Sequence, residues 1–295
     1  MKTFLKFSFG LFFAFIVANG LYLFLLPHID WEFRKTKEAH GFKNQHLKVL
    51  VFGNSTAMDG VNTDLIDKHF GPAYNFSVGG ASLLTNYIQL SDYLLHNERP
   101  EKVLLFLSSA HVKYYNPNEV NPIVDYYYGN SLPVSGLKDI PLFKFRWLVI
   151  ENIKKLLSTN HRTAKIIKGQ LRIKSIVPDN SSKKNDTTIR CLNESFYNNE
   201  GYEYMWRIAS LCKERNIQFE VFELPCWKFA QNECADLVLQ NKVIQNHFNL
   251  IMHNLNNYSK CDTLLDPNKD WLSLNHLNYN GSIKVTSEII RILSR

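Results

Sequence analysis

Two short stretches, far apart in the chain, carry side chains that could share one piece of chemistry. Leu47 to Gly60 reads LKVLVFGNSTAMDG and sets Ser55 directly after a Gly53-Asn54 turn. Asp270 to Gly281 reads DWLSLNHLNYNG and holds His276. A histidine titrates near neutrality, so it can take a serine's proton and hand it on to a leaving group. A hydroxyl relieved of its proton in this way attacks acyl carbonyls. Each residue also has a plainer use. Ser55 can bond the turn or cap the next helix, and His276 can be a satisfied structural histidine.

The elements around them fit the first use. Leu47, Val49, Leu50, Val51 and Phe52 form a nearly continuous apolar run, the mark of a strand buried on both faces of a parallel sheet. Ser55 then falls just past that strand's carboxyl end, where open α/β sheets bind their ligands. Asn62 or Thr63 caps a helix running through Phe70, and Ala73 to Val78 reads as a second strand closed by Gly79-Gly80. Ser82 to His96 is an amphipathic helix, and Lys102 to Leu107 is a third apolar strand. This alternation argues for an α/β fold with a doubly wound, mostly parallel sheet.

The rhythm stops between about 110 and 195, which reads as an insertion with helices of its own. Its first part, Tyr114 to Pro133, is rich in tyrosine, suited to a sugar-binding face or to simple packing. Its second part, Asn152 to Pro178, contains no acid. There Lys154, Lys155, Arg162, Lys165, Lys168, Arg172 and Lys174 alternate with leucine and isoleucine, as in a basic segment that meets anionic headgroups or a plain solvated helix face. The α/β pattern resumes with a helix over Glu200 to Arg215 and a fourth strand over Gln218 to Leu224. Another helix follows over Asn232 to Leu250, then a short fifth strand at Asp262 to Leu265 and a last helix over Asn278 to Leu293. His276 precedes that last helix, at the same sheet edge as Ser55.

Composition narrows the field. The 295 residues are 45% hydrophobic and 21% charged, ordinary for a folded domain plus an anchor. The formal charge of +7 is too diffuse to argue for nucleic acid. No zinc-type spacing and no phosphate-cradling glycine loop occurs, so neither a metal nor a cofactor is expected. The five cysteines do not fix the compartment, although Cys226 and Cys234 could pair in an oxidising one. Lys2 and Lys6 precede an uncharged run from Phe7 to Pro27, long enough to cross a bilayer. The expected organisation is a transmembrane anchor over 1–27, a linker over 28–46 and an α/β domain over 47–295. Arg34, Lys35 and Lys37 compete with Lys2 and Lys6 in setting the orientation. The expectation is a cytoplasmic N-terminus with the body outside.

The order of the blocks also carries a resemblance. Gly53-Asn54-Ser55 after the first strand, Asn75 with Gly79-Gly80 after the second, and His276-Leu277-Asn278 with Gly281 resemble the SGNH, or GDSL-type, hydrolase superfamily. The likeness is greatest to its membrane-anchored branch, which includes polysaccharide O-acetyltransferases and the D-alanyl transfer protein of teichoic acid synthesis. It covers residues 47 to 109 and 197 to 295. The resemblance implies a flavodoxin-like sheet order, Ser55 as nucleophile, His276 as base, and Gly80 with Asn75 in the oxyanion and binding region. It also implies a bacterial inner membrane location with the catalytic domain on the periplasmic or extracellular side. The family's usual acid, three residues before the histidine, is replaced here by Ser273. Asp270 is the nearest acid in the loop, and it or a backbone carbonyl could orient the imidazole. The family's oxyanion asparagine after the third strand is also missing, with Ser109 or His111 as possible substitutes in Ser108-Ser109-Ala110-His111.

The resemblance implies an acyl esterase or O-acyltransferase acting on a cell-envelope glycan, with that glycan, an acyl donor and the membrane as expected partners. Two rivals stand beside it. One is a catalytically degenerate domain that binds glycan or scaffolds a membrane O-acyltransferase, and the other is a lipid-surface esterase that uses the basic stretch.

Overall fold

The computed structural model describes residues 2–107, 119–129, 140–148, 150, 164–174, 200–226, 250, 252–256, 263–273 and 275–295. The chain divides into two compact units, one made of Met1–Ala39 with Pro122–His161 and the other of His40–Asn121 with Arg162–Arg295.

The larger unit is built on a five-stranded, wholly parallel sheet. Its strands are β1 (Val49–Phe52), β2 (Ala73–Asn75), β3 (Lys102–Leu107), β6 (Gln218–Glu223) and β7 (Met252–Asn254), in the order β2-β1-β3-β6-β7. The order reverses between β1 and β3, so the carboxyl end of β1 lies at the switch point where such sheets bind ligands. Every residue of β1 is buried, as its apolar run requires. Val49, Val51, Leu104, Phe106 and Phe222 form one face, covered by Ala57, Ile66, Val285 and Ile289. The opposite row, Leu50, Phe52, Val103 and Leu105, is equally buried, and Phe52 stacks on Phe76, whose ring meets Tyr93 edge-on.

Helices α3 (Ser55–Gly60), α4 (Thr63–Phe70) and α5 (Leu83–His96) follow the first strands. Asn62 and Ser82 cap α4 and α5 through their side chains, as sequence patterning anticipates. The helix Glu200–Glu214 leads into β6, and Tyr279–Leu293 closes the chain.

Several expectations are corrected. The fifth strand is Met252–Asn254 rather than Asp262 to Leu265, where Thr263 and Leu264 are helical. A three-residue edge strand is too short to display a period. The second strand stops at Asn75 instead of Val78. Within the basic stretch, residues 164–174 form an antiparallel hairpin, β4 (Ala164–Ile167) with β5 (Gln170–Ile173). Lys168 and Gly169 turn it with φ of 48° and 77°. Two of its cations are engaged by α4, since Lys168 lies 2.7 Å from Asp67 and Arg172 pairs with Asp64, while Lys165 and Lys174 are exposed. Of the helix expected over Asn232 to Leu250, all but Leu250 lies outside the described residues, and Leu250 itself is not helical.

The smaller unit holds α1 (Lys2–Ile29), α2 (Trp31–His40, reaching one residue beyond the unit), α6 (Pro122–Tyr128) and α7 (Pro141–Lys144). Residues 31–40, expected as linker, are helical because Asp30 caps them. Its Oδ1 accepts from the backbone N–H groups of Glu32 and Phe33 at 2.9 and 3.0 Å. Leu26, Phe33, Ile123, Phe145 and Leu148 form the unit's core. Tyr126 and Tyr127 set their rings against Phe33, so packing accounts for these two tyrosines. Tyr114 and Tyr115 lie outside the described residues. Helix α1 has the length and composition of a membrane anchor or a signal sequence.

Candidate active site

Ser55 is the first residue of α3, and the turn ahead of it is fixed from several sides. Asn54 is fully buried, and its Oδ1 accepts from the Thr56 N–H at 3.0 Å and from the Thr56 hydroxyl at 2.8 Å. The Gly53 N–H donates to Asn86 Oδ1 of α5 at 3.0 Å. A Cβ at Gly53 would stand 2.5 Å from Ala57 Cβ and 2.9 Å from the Phe106 carbonyl, so close approach demands glycine there. This Gly-Asn-Ser order lets β1 pass directly into a helix whose first hydroxyl faces the sheet edge.

His276 is held by an equally constrained loop. Trp271 and Leu277 form an antiparallel bridge, and the His276 carbonyl accepts from Leu272 N–H at 2.7 Å. Asn278 N–H donates to the Asp270 carbonyl at 3.0 Å, while its side chain caps the last helix and donates to the Lys269 carbonyl. Gly281 packs the first turn of that helix against the loop. A Cβ there would lie 2.3 Å from the Asp270 carbonyl oxygen. The His-Leu-Asn-x-x-Gly spacing is therefore a cap and a close approach that together aim one imidazole.

These two constructions meet. Ser55 Oγ lies 3.5 Å from His276 Nε2, and His276 Nδ1 lies 2.7 Å from Asp59 Oδ2. Asp59 is four residues after Ser55 on α3, one turn away on the same face. An ionised carboxylate only accepts hydrogen bonds, so Nδ1 carries the proton and the Nε2 lone pair faces the serine. The side chain of Asp59 is 6% exposed and that of His276 25%, so the acid is shielded while the imidazole stays reachable. A serine hydroxyl, an imidazole and a carboxylate thus follow one another, an arrangement able to support nucleophilic acyl chemistry.

Asp59 was not among the residues expected to act here. Its sequence signal is an acid one helical turn after a candidate nucleophile, among Thr56, Ala57, Met58 and Gly60 that are otherwise all buried. Asp270 is not at the imidazole. Its carboxylate is 2.6 Å from Lys284 Nζ and accepts from Asp266 N–H at 2.6 Å, so it braces the loop instead. The Ser273 hydroxyl donates to Asn275 Oδ1, and its N–H donates to the His276 carbonyl at 3.3 Å, so its contact is with the loop backbone and not with the imidazole. Asn75 is fully buried and structural: its amide donates to the Ala57 carbonyl at 3.0 Å and accepts from Ser77 N–H at 2.9 Å. Gly80 sits in the turn beyond β2 with φ of 64°, a left-handed conformation that favours glycine. Ser109 and His111 lie outside the described residues, as does Cys234, whereas Cys226 is buried. Among the described residues no group of His, Cys, Asp and Glu is arranged to hold a metal ion.

The inserted hairpin supports α3 from behind. Gln170 is fully buried, and its Nε2 donates to Ser282 Oγ at 3.2 Å and to the Asp59 carbonyl at 3.5 Å. The Asn75 N–H donates to the Lys168 carbonyl, and Gly169 packs where a Cβ would lie 2.1 Å from the Asn75 carbonyl.

No family model matches the chain, and no curated protein matches it. Among solved structures it is distantly similar to proteins of the GDSL/SGNH lipolytic type. One is provisionally described as a platelet activating factor from Streptococcus pneumonia, with 12% identity and a TM-score of 0.42 over 94% of this chain and 98% of that one. Another is provisionally described as a lipolytic protein of the G-D-S-L family from Desulfitobacterium hafniense DCB-2, with 11% identity and a TM-score of 0.36 over 83% of this chain and 99% of that one. The chemistry assigned to the site rests on its own geometry.

Proposed function

We propose that this chain is a membrane-anchored, SGNH-like serine acyl esterase or O-acyltransferase that acts on a cell-envelope glycan. The observation that carries the catalytic part is the line from Ser55 through His276 to Asp59, with separations of 3.5 and 2.7 Å. The Ser55 hydroxyl gives its proton to Nε2 as its oxygen attacks an ester carbonyl. Asp59 stabilises the imidazolium that forms, and that imidazolium then protonates the departing alcohol. The acyl-serine is released when water or a glycan hydroxyl attacks it, with His276 again accepting the proton. The Ser55 and Gly80 N–H groups are the proposed oxyanion donors, each worth about 10²- to 10³-fold in rate. An outward-facing body and a glycan acceptor are supported by the family resemblance and the N-terminal apolar helix.

The test is labelling of the detergent-solubilised full chain with a serine-reactive fluorophosphonate. Labelling of the wild type that is lost in Ser55→Ala and His276→Ala supports the proposal. A folded wild type that takes no label overturns the catalytic reading, and a glycan-binding or scaffold role for the same domain takes its place.

A further inference from the structure

The smaller unit carries a second apolar element beside α1, and its backbone is tied to that helix. Helix α7 begins at Pro141, which has no N–H to satisfy. The next N–H, of Leu142, donates to Asn19 Oδ1 of α1 at 3.2 Å. Those of Phe143 and Lys144 both donate to the Ile140 carbonyl at 2.8 Å. Phe145 and Leu148 donate to the carbonyls of Pro141 and Phe145 at 2.9 and 3.0 Å. On the acceptor side, the Phe145 carbonyl takes the Tyr22 hydroxyl at 2.8 Å and the Phe143 carbonyl takes the Arg146 guanidinium at 2.8 Å. The bonds from Phe143, Lys144, Phe145, Arg146 and Leu148 are ordinary local ones, whereas those with Asn19 and Tyr22 join the segment's backbone to α1. Inside hydrocarbon backbone groups must be met by protein, and α1 meets these two.

The side chains agree. Asn19 is a polar residue within the apolar helix, and both ends of its amide are used, Oδ1 by Leu142 and Nδ2 on the Phe15 carbonyl. It lies eight residues before Pro27, about 12 Å along the helix axis and therefore within a hydrocarbon layer roughly 30 Å thick. Phe143 packs on Phe15, with ring centroids 6.3 Å apart. Phe143, Trp147 and Ile150 are 41%, 40% and 54% exposed, as uncovered as many apolar side chains of α1. The charges on this segment are managed: Lys144 lies 2.7 Å from Asp125, and Arg146 and Trp147 are residue types that favour the headgroup boundary.

We infer that residues 140–148 enter the bilayer beside α1, with Leu142 and Phe143 among the acyl chains and Arg146 and Trp147 at the headgroups. The occupant of this face is lipid. The chain is thus held by an anchor helix and an embedded loop. The contacts at Asn19 and Phe15 also favour an anchor that stays attached over a cleaved signal sequence, since loss of the first part of α1 would remove both.

The test uses the full chain in vesicles of phosphatidylcholine and phosphatidylglycerol, with photoreactive p-benzoylphenylalanine placed at Phe143, at Phe12 on α1, or at Trp206 of the larger unit. All three positions are exposed aromatics, so little else changes. Lipid adducts at 143 comparable to those at 12, and on the order of tenfold above those at 206, support the inference. Adducts at 12 with none at 143 overturn it while leaving the anchor intact. Adducts from 143 to a second copy of the chain overturn it in favour of a protein contact. Adducts at neither 143 nor 12 overturn both the inference and the membrane anchor.

Discussion

The Asp59 carboxylate lies 2.7 Å from His276 Nδ1 although the two residues are 217 positions apart. The carboxylate at the imidazole thus comes from the helix that begins with Ser55 and not from the loop of His276. If that relation sets the tautomer, Asp59→Asn presents a neutral amide to Nδ1 and weakens the base. We predict a fall of about 10³- to 10⁴-fold in fluorophosphonate labelling rate with little change in melting temperature. A rate within about threefold of wild type would remove Asp59 from the mechanism.

Asp270 has the opposite profile. It is 1% exposed, holds Lys284 and the Asp266 N–H, and touches neither partner of the nucleophile. We expect Asp270→Asn to lower stability by about 1–3 kcal/mol, read by denaturant unfolding, because a buried charge arrangement is broken. At temperatures where the variant is folded, its labelling rate should exceed that of Asp59→Asn by orders of magnitude.

Gly281 separates packing from chemistry in another way. A methyl group there meets the Asp270 carbonyl at 2.3 Å, and that carbonyl belongs to the backbone that carries His276. Gly281→Ala should both destabilise the protein by about 1–3 kcal/mol and displace the imidazole. Its labelling rate should fall even in the folded protein. Retention of full rate would show that the loop tolerates the shift.

Acid should loosen the inserted hairpin. Burial works against ionisation of Asp64, but the hydrogen bond and charge of Arg172, with the charge of Lys168, outweigh it and hold the carboxyl below its usual value. A carboxyl depressed in the folded state contributes stability above its unfolded pKa, and that contribution disappears as pH falls through the folded value. Proteolysis within residues 164–174 should therefore rise on acidification below the ordinary carboxylate range. Arg172→Ala should show the same sensitivity at neutral pH. Equal protection at both pH values in the wild type would count against the pairing.

Cys212 gives a prediction at the alkaline end. Burial pushes its thiol up to about 12. Because the unfolded thiol ionises first, its contribution to stability is complete below the ordinary thiol range and declines as pH rises towards the folded value. At pH 8 it should resist iodoacetamide in the native protein and react once the chain is unfolded, as peptide mass mapping can show. Native alkylation would mean that the helix Glu200–Glu214 opens readily.

What could be read from the chain alone divides by the range of the interactions involved. The buried strands, the Gly53-Asn54-Ser55 turn and the Asn278 cap carry their signals in residue types a few positions apart, although Asn86 and Phe106 also hold Gly53 in place. Asp59 is different, because its place at the imidazole exists only once the loop around His276 has packed against α3. The hairpin of 164–174 does carry a local sign, the positive-φ Lys168-Gly169 pair between alternating residues. Its run of cations resembles a solvated helix face, and the acids that neutralise it, Asp64 and Asp67, lie on α4 about a hundred residues earlier.

The separation of Ser55 from His276, 221 residues, has a consequence for the making of the protein. Ser55 is translated 221 residues before His276, on a strand and helix that can begin to fold at once. Until His276 has followed, a nascent chain presents the serine without the imidazole. Under the proposed mechanism, a product truncated between the two takes no fluorophosphonate label.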